Sequence, residues 1–434
     1  MKPENIYFSV TPRVVPANAT SEIVIRPLFD HSAFRDDLDY ELAYFPAEEF
    51  AQRSGWPENA RIRAKPENGA IRFTQYFEAE QEHAICLESL NGEERKQVGD
   101  FRVYSVEEDL YARRAHKGDL HIHSSRSDGR ETPGYVAGAC RRIGLDFMAI
   151  TDHKQYGPSI EAQEAFRGVE HDLRIFRGEE VHPPNNPVHM INFGGRFSVN
   201  DLFVSDEYRS DVARLERELG PFPPGVDSYQ YASCAWCFNK IREGGGLAIF
   251  CHPYWYTSHR YAPSGAITTH LFETQPFDAY EIIGGFHRWE AESNTLQVAR
   301  YHEERAKGKS VPIVGVSDAH GCERDTLFGW YYTIVFSRTP EQPDLIGSMK
   351  DLYSVAVEAM AGEMPRAYGP FRLVKFALFL MREVFPQHDL LCEQEGRLMI
   401  QHVAGDSGAA ELLKRLKGRT STFLEVCWRF AVVE

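Results

Sequence analysis

The chain lacks a long apolar run, a secretory leader pattern and any repeated or low-complexity segment. Because a membrane-spanning helix needs roughly 20 mostly apolar residues, no transmembrane segment is expected. The first residues, MKPENIYFSV, do not combine a basic region with an apolar one, so no secretory signal is expected and a cytoplasmic location is predicted. These absences favour an ordinary globular protein, in which 43% of the residues are apolar.

Basic residues are outnumbered by acidic ones. The 48 Lys and Arg residues stand against 63 Asp and Glu residues, which gives a formal net charge of -15. Binding to nucleic acid without sequence preference depends on Lys and Arg that neutralise phosphates, so the composition argues against that function. A small anionic substrate stays compatible with this charge, because bound metal ions can supply local positive charge.

Cysteine is sparse, with eight residues scattered over 434. A chain of this length does not need disulfides to stabilise its core, so reduced thiols are expected. Cys234 and Cys237 form one CxxC pair without a second pair or another ligand cluster nearby. We interpret them as ordinary thiols and not as a redox or zinc motif.

The pattern of apolar residues changes twice along the chain, and the length predicts two or three domains. Residues 1–113 contain short β-branched and aromatic segments, which predicts a β-rich, sandwich-like N-terminal domain. Residues 114–365 alternate short apolar strands with helical stretches, typical of an α/β fold with a largely parallel sheet or barrel. An insertion at about 197–240 is either a lid, a substrate wall or a surface excursion, and residues 366–434 form a mainly helical C-terminal extension.

Histidine, aspartate or glutamate residues follow each of six successive apolar strands. Histidine, aspartate and glutamate are the ligands that Zn²⁺, Mn²⁺ and Fe²⁺ prefer. In α/β barrels the loops that follow the carboxyl ends of the strands meet at one end of the barrel, where the active site lies. A single histidine there is more often a hydrogen-bonded core residue, but this recurrence indicates a metal centre. The residues are His121, His123, Asp128, Asp152, His153, Glu179, Glu180, His189, His252, Asp318 and His320.

The spacing within the motifs supports this interpretation. Residues i and i+2 of a strand point to the same face, so His121 and His123 can reach one ion. Asp318 and His320 repeat the spacing, and the two residues of a pair can also serve neighbouring ions. Three or more carboxylates among the ligands indicate two or three divalent ions and not one.

Six short motifs resemble, in the same order, those of the polymerase and histidinol phosphatase (PHP) superfamily. They are HIHSSRSDG, ITDHK, GEEV, VHMINFG, CHP and SDAH. The resemblance covers roughly residues 116–340. The chain is most similar to the stand-alone metal-dependent phosphoesterases, and its SDG loop and preceding β domain resemble the carbaryl-hydrolase-like branch. This resemblance implies a distorted, TIM-like (β/α)7 barrel with two or three divalent ions, Mn²⁺, Zn²⁺ or Fe²⁺.

The resemblance also assigns ligands, with Glu180 as the bridge between two ions. The three positions would be formed by His121, His123, Glu180 and Asp318; by Glu180, His189 and His252; and by Asp128, His153 and His320. Glu179 cannot point inward together with Glu180, so it is expected to face solvent or to lie behind the ligands. His182 could share the face of Glu180, and Asp152 is expected to support the ligands.

The predicted activity is hydrolysis of a small phosphomonoester or phosphodiester by a hydroxide that the ions activate. Either His252 or His320 could assist the leaving group, or Asp318 or a bound water could manage the proton. Two alternatives stay open: hydrolysis of a carboxylic ester, carbamate ester or amide at the same centre, and a non-catalytic metal-binding module.

Substrate contacts are less constrained by the sequence. Basic side chains near the motifs are candidates for binding phosphate, or are ordinary surface groups: Lys154, Arg260, His287, Arg288 and Arg324. The aromatic run Tyr254, Trp255 and Tyr256 follows His252 and either stacks on a substrate ring or packs beneath the insertion. A homo-oligomer is compatible with the sequence, and the N-terminal domain could shape the mouth of the site.

Overall fold

The computed structural model describes residues 2–48, 61–324 and 327–428. The chain divides into two units that are each built from separate segments. One unit comprises Met1–Arg114, Val374–Leu391 and Gly418–Glu434, and the other comprises Ala115–Leu373 and Cys392–Lys417. The domain boundaries at 113 and 365 stay predictions.

The N-terminal part of the chain is mostly β-strand. Its elements are α1 (Pro3–Tyr7), β1 (Phe8–Thr11), β2 (Val14–Pro16), β3 (Ala19–Pro27), β4 (Asp39–Pro46), β5 (Arg61–Ala64), β6 (Ile71–Phe77), β7 (Glu82–Asn91), β8 (Glu94–Val106) and α2 (Glu108–Tyr111).

These strands form two sheets. The first has the order β1-β3-β6, and the second has the order β2-β8-β7-β4-β5. Along β6 the buried residues Ile71, Phe73 and Phe77 alternate with more exposed ones, as the two-residue period of a strand requires. Buried residues of both sheets, such as Ile71 and Phe101, belong to one hydrophobic core.

From residue 114 onward, strands alternate with helices. The strands are β9 (Arg114–Asp119), β10 (Phe147–Ala149), β11 (Arg174–Phe176), β12 (Gly178–Val181), β13 (Met190–Phe193), β14 (Leu247–Phe250), β15 (Trp255–Thr257), β16 (Arg260–Ala262), β17 (Ala279–Gly284), β18 (Ile313–Val316), β19 (Tyr331–Ser337), β20 (Ser354–Glu358) and β21 (Arg366–Tyr368). The helices are α3 (Pro133–Arg142), α4 (Gly157–Glu164), α5 (Asp206–Leu219), α6 (Ser228–Glu243), α7 (Gly265–Thr274), α8 (Ala291–Ala306), α9 (Gln342–Lys350), α10 (Phe371–Glu383), α11 (Phe385–Val403), α12 (Ala409–Leu416) and α13 (Arg419–Trp428).

The second unit contains two larger sheets, with the strand orders β11-β10-β9-β19-β20-β21 and β12-β13-β14-β17-β18. Parallel pairing joins β9 to β10, β10 to β11, β14 to β17 and β17 to β18, whereas β13 is antiparallel to both of its neighbours. Two isolated parallel bridges join the two sheets: Ile122 with Ala319, which lie beyond the ends of β9 and β18, and His153, beyond the end of β10, with Glu180 in β12. The candidate ligands lie at these junctions.

The insertion at about 197–240 packs partly in the core, and its role as a lid, a substrate wall or a surface excursion stays a prediction. It contains α5 and most of α6. Tyr208, Trp236 and Phe238 are buried and belong to the core cluster that includes Met190 and Phe250. The segment therefore stabilises β13 and β14, which flank the candidate ligands.

The predicted mixed α/β class is confirmed, whereas the seven-strand barrel layout and the N-terminal sandwich stay predictions. All eight cysteines are free, and Cys234 and Cys237 are buried in α6. Among the described residues, no helix is both long and apolar enough to span a membrane.

Candidate metal centre

The histidine pair lies just beyond the end of β9, which finishes at Asp119. The Nε2 atoms of His121 and His123 are 3.2 Å apart, and both side chains are buried. Ile122 between them forms a bridge with Ala319 and is buried in the apolar core. The alternation expected of a strand thus continues locally, with both imidazoles on one side.

Glu180, in β12, lies at the centre of six imidazoles. Its side chain is fully buried. Burial alone would raise the pKa of this carboxyl, but the surrounding histidines hold it well below its usual value. Glu180 Oε2 lies 3.7 Å from Nε2 of His121 and of His123, 3.3 Å from His182 Nε2 and in contact with His153 Nδ1, while Oε1 lies 2.9 Å from His189 Nδ1 and 3.3 Å from His252 Nε2.

Close distances in this cluster do not all correspond to hydrogen bonds. Glu180 Oε2 and His189 Nδ1 are buried, and neither has a hydrogen-bond partner among the described residues. Leaving a buried polar atom without a partner costs about 1–3 kcal/mol. Converging carboxylate and imidazole lone pairs are the donor set that divalent transition ions require, so the residues present fit such ions.

Asp318 reaches the cluster from the segment after β18. Its Oδ1 lies 2.8 Å from His123 Nε2 and 3.2 Å from His121 Nε2. Burial would raise the pKa of Asp318, but His121 and His123 hold it well below its usual value. The residue has a left-handed φ of 50°, and its backbone N–H donates to the carbonyl of His121 at 2.8 Å.

Gly284 allows the ends of β17 and β18 to approach each other. Its φ is 131°, and a Cβ at this position would lie 1.7 Å from the carbonyl oxygen of Val316. At the next residue, Gly285, a Cβ would lie 3.2 Å from Asp318 Oδ2. The glycine pair therefore leaves room for the backbone that carries Asp318.

A second group of ligand atoms surrounds Asp128, which is about half exposed. Asp128 Oδ2 lies 3.3 Å from His153 Nε2, and Oδ1 lies 3.3 Å from His320 Nε2. The rings of His153 and His320 lie 4.3 Å and 4.2 Å from the ring of His123. Burial raises the pKa of Asp128, but His153 and His320 together lower it below its usual value.

Asp152 supports the loop that carries Asp128. Its carboxylate is buried and accepts hydrogen bonds from the Ser124 N–H at 2.6 Å and from Ser127 Oγ at 2.7 Å. The hydroxyl of Ser124 also donates to it. The side chain thus faces the backbone of the loop, as expected for a residue behind the ligands.

Glu179 faces away from the histidines but is fully buried, so the alternative that it faces solvent is wrong. Its carboxylate accepts hydrogen bonds from Asn192 Nδ2 at 3.0 Å, Ser198 Oγ at 2.8 Å and Asn200 Nδ2 at 2.8 Å. Burial raises its pKa. Glu179 therefore joins β12 to β13 and to the start of the insertion.

His182 belongs to the cluster although the sequence interpretation favoured His189. Its Nε2 lies 3.1 Å from His153 Nδ1, and its ring stacks on that of His189 with centroids 3.7 Å apart. The signal was present in the sequence, because His182 lies two residues after Glu180 and shares its face. The structure places both His182 and His189 beside Glu180.

Glu281 was missed by the sequence interpretation. It is fully buried in β17, and its Oε2 lies 3.5 Å from His121 Nδ1. An acidic residue in the otherwise apolar strand AYEIIG was the available signal. A carboxylate behind the ring of a ligand histidine orients that ring and fixes its tautomer.

The basic residues considered for substrate contact differ in their surroundings. The Arg288 guanidinium lies 5.1 Å over the ring of Trp330, and His287 stacks on Trp289 with ring centroids 4.5 Å apart. Arg288 Nη1 also lies 3.5 Å from Glu363 Oε1. The other three candidates, Lys154, Arg260 and Arg324, are exposed and form no ion pair with the described residues.

Comparison with known proteins gives partial matches, and no family model matches the chain. Over 40 residues, or 9% of the chain, it is 55% identical to the DNA polymerase/3'-5' exonuclease PolX of Bacillus subtilis strain 168, of whose length it spans 7%. An uncharacterized protein of Methanocaldococcus jannaschii is 24% identical over 184 residues, which cover 40% of this chain and 84% of that protein.

One similar solved structure is a two-domain protein of Bacteroides vulgatus ATCC 8482, described as containing a predicted PHP-like metal-dependent phosphoesterase. It has 16% identity and a TM-score of 0.40, and the match covers 62% of this chain and 70% of that one. The resemblance to PHP proteins is confirmed, whereas the carbaryl-hydrolase-like branch stays a prediction. The comparisons do not resolve a substrate.

Proposed function

We propose that the chain is a metal-dependent phosphoesterase that hydrolyses a small phosphomonoester or phosphodiester. The observation that carries this proposal is the convergence of six imidazoles on the buried carboxylate of Glu180, whose Oε2 makes no hydrogen bond with the described residues. Such a donor set stabilises the folded protein best when divalent cations occupy it.

Nine residues would hold two or three ions, Mn²⁺, Zn²⁺ or Fe²⁺. They are His121, His123, Asp128, His153, Glu180, His189, His252, Asp318 and His320. Divalent ions bound there would acidify a water molecule and offset the negative charge of a phosphate.

The charge of the ligand set favours an anionic substrate. Asp128, Glu180 and Asp318 are its three carboxylates, and the remaining ligands are histidines that ligate in the neutral form. With two divalent ions, these carboxylates and a bound hydroxide would balance the four positive charges, whereas with three ions two positive charges would remain in excess. The excess attracts a phosphate ester more strongly than a neutral ester or amide.

The chain's own residues orient the ligands and handle protons. His320 Nδ1 lies 2.9 Å from the carbonyl oxygen of Asp318, so it donates there and its Nε2 faces Asp128 with a lone pair. Asp318 engages His121 and His123 through Oδ1, while Oδ2 makes no hydrogen bond with the described residues. Of the three candidate catalytic residues, Asp318 is the one with an oxygen, Oδ2, left to accept a hydrogen bond from a bound water, because His252 and His320 direct Nε2 at carboxylates.

The experiment compares metal content with turnover. The purified full chain is loaded with Mn²⁺ or Zn²⁺, and hydrolysis of p-nitrophenyl phosphate, its bis ester, p-nitrophenyl acetate and an aryl carbamate is measured. Metal-dependent turnover of a phosphate ester supports the proposal, provided that Glu180→Gln abolishes it and the exposed control Glu303→Gln does not.

Other outcomes contradict the proposal. Faster turnover of the acetate or carbamate with the same metal dependence would identify the alternative hydrolase. Two or three bound ions without turnover of any probe would identify a non-catalytic metal-binding module.

A further inference from the structure

A β-hairpin follows the candidate ligand His252 after two residues. Its strands are β15 and β16, and Thr257 pairs with Arg260 across a two-residue turn. The turn residues Ser258 and His259 have φ values of 49° and 65°. Left-handed conformations at both turn positions match the twist of a hairpin, so this is a defined element and not a loose loop.

The two faces of the hairpin carry different side chains. Trp255 pairs with Ala262 and Tyr256 with Tyr261. Because side chains of directly paired residues point to the same face and successive ones alternate, Trp255 shares a face with Arg260. Tyr256 and Tyr261 occupy the opposite face, with their ring centroids 5.5 Å apart.

The face with Trp255 is directed at the candidate metal ligands. The centroid of the Trp255 ring lies 6.3 Å from the rings of both His189 and His252. Nevertheless, 40% of this tryptophan is exposed to solvent. A large apolar ring that is exposed to water lacks the stabilisation that burial would provide. A bound molecule that covers the ring would provide it.

The base of the hairpin is fixed to the rest of the unit. Tyr254 Oη accepts a hydrogen bond from Arg300 Nε at 2.9 Å, and the Arg300 guanidinium lies 5.6 Å over the ring of Phe272. Tyr254 therefore packs and does not present its ring freely. The position of Trp255 relative to His252 is held by this anchor and by the Trp255 N–H, which donates to the carbonyl of His252 at 3.1 Å.

We propose that the face of Trp255 and Arg260 determines specificity by selecting phosphoesters with a flat aromatic group, either a simple aryl ring or a nucleobase. Trp255 offers the stacking surface. Arg260 is exposed, has no acidic partner among the described residues and offers a planar donor to an anionic oxygen. This inference rests on the proposed phosphoesterase function, because it places the reacting phosphate at the ligands beside Trp255.

The first test measures binding without turnover. Calorimetry on the metal-loaded full chain compares phenylphosphonate with methylphosphonate, which share the anion and differ in the ring. The wild type is expected to prefer phenylphosphonate by about 3- to 10-fold, the range that one aromatic contact provides. Trp255→Ala is expected to remove this preference, Trp255→Phe to keep most of it, and Arg260→Gln to weaken both ligands alike.

Tyr256→Ala is the matched control, because it removes an exposed aromatic ring from the opposite face of the same hairpin. It is expected to keep the preference. A wild type without preference, a preference that survives in Trp255→Ala, or one that Tyr256→Ala also removes would overturn the inference. Absence of binding by both phosphonates would overturn it as well.

The second test measures kcat/KM for phenyl phosphate, a nucleoside 5'-monophosphate and glycerol phosphate. Trp255→Ala is expected to reduce the first two by about 3- to 10-fold and to leave glycerol phosphate unchanged. A larger effect on the nucleotide than on phenyl phosphate identifies a nucleobase as the natural ring. Equal loss on all three substrates would contradict a specificity role. Ring-dependent phosphonate binding without any turnover would refute the phosphoesterase function and leave the ring selection standing.

Discussion

The Nε2 atoms of His121 and His123 lie 3.2 Å apart in the buried part of the candidate site. Asp318 Oδ1 is the oxygen that both nitrogens face, at 3.2 Å and 2.8 Å. At most one proton can lie between two such nitrogens, so at least one lone pair is available for a cation. Two imidazole nitrogens and one carboxylate oxygen at these distances can share one ion.

Replacement of His121 by alanine is expected to remove metal and activity together. Mutation of a residue that hydrogen-bonds to a metal ligand typically lowers metal affinity by about 10- to 100-fold. Loss of a ligand itself should lower the affinity by more than that. Metal per chain is measured by elemental analysis after dialysis, and turnover is measured at matched protein concentration. His302→Ala, which changes an exposed histidine of α8, is the control and should retain both properties. Full metal content in His121→Ala would exclude this residue from the ligands.

Glu281→Gln tests the carboxylate behind His121. The amide keeps the size of the side chain but removes the charge that faces His121 Nδ1 at 3.5 Å. Metal affinity, measured by competition with a chelator, is expected to fall by about 10- to 100-fold. Saturating metal should restore most of the turnover, because Glu281 is not one of the nine ligands.

A second buried glutamate provides the control for this experiment. Glu304, in α8, lies 2.7 Å from Lys307 Nζ and 2.8 Å from Lys309 Nζ. Glu304→Gln removes a buried negative charge in the same unit and should reduce stability without changing metal affinity. An equal loss of metal affinity in both variants would show that Glu281 acts only through general stability.

The sequence was sufficient to predict most of the residues that converge, though not Glu281, because many of them lie at or soon after the end of an apolar strand. His153 and Asp318 follow β10 and β18, Glu180 is the last residue but one of β12, and neighbouring strand ends of a sheet lie side by side. The sequence was not sufficient to predict where β9 ends. That boundary depends on Asp119, whose Oδ1 accepts from the N–H groups of both His121 and Ser317, which are distant in sequence.

The environment of Glu179 is a second feature that the sequence alone does not predict in full. Its exclusion from the cluster follows from its neighbour Glu180 and the two-residue period of a strand. Its burial depends on Asn192 and on Asn200 at the start of the insertion, which no local pattern connects to β12. Contacts between segments of this kind are set by packing of the whole unit.

Asp152→Asn tests the support of the loop that carries Asp128. The carboxylate accepts hydrogen bonds from Ser124 and Ser127, and an amide nitrogen at one of its oxygen positions would face a donor. The free energy of unfolding is expected to fall by about 1–3 kcal/mol, measured by urea denaturation. Because Asp128 would lose its position, the number of ions per chain should fall by one.

Ser127→Ala gives a graded comparison. It removes the 2.7 Å hydrogen bond to Asp152 Oδ1 and the 3.2 Å hydrogen bond to Asp128 Oδ1, and it leaves both bonds from Ser124 to Asp152. Its loss of stability is expected to be about 1 kcal/mol, smaller than that of Asp152→Asn. If both variants kept full stability and every ion, Asp152 would have no supporting role.

His83 is expected to make the stability of the first unit depend on pH. Burial lowers the pKa of His83 to about 4, whereas an unfolded histidine titrates near 6.5. The neutral ring suits its partners, since Nδ1 lies 2.8 Å from Tyr44 Oη and Nε2 lies 2.7 Å from Ser105 Oγ. Because the folded pKa is depressed, the contribution of His83 to stability is complete above pH 6.5 and is lost as the pH falls toward 4.

The expected size of this loss is about 3 kcal/mol, from the difference between the two pKa values. Urea denaturation of the wild type and His83→Gln between pH 7.5 and about pH 4 isolates it, because all other titrating groups are shared. The difference in unfolding free energy between the two proteins should shrink as the pH falls. The exposed His31, replaced by glutamine, should show no such trend. A difference that stays constant over this range would mean that His83 accepts a proton in the folded protein as readily as in the unfolded chain, and that its two hydrogen bonds do not require the neutral ring.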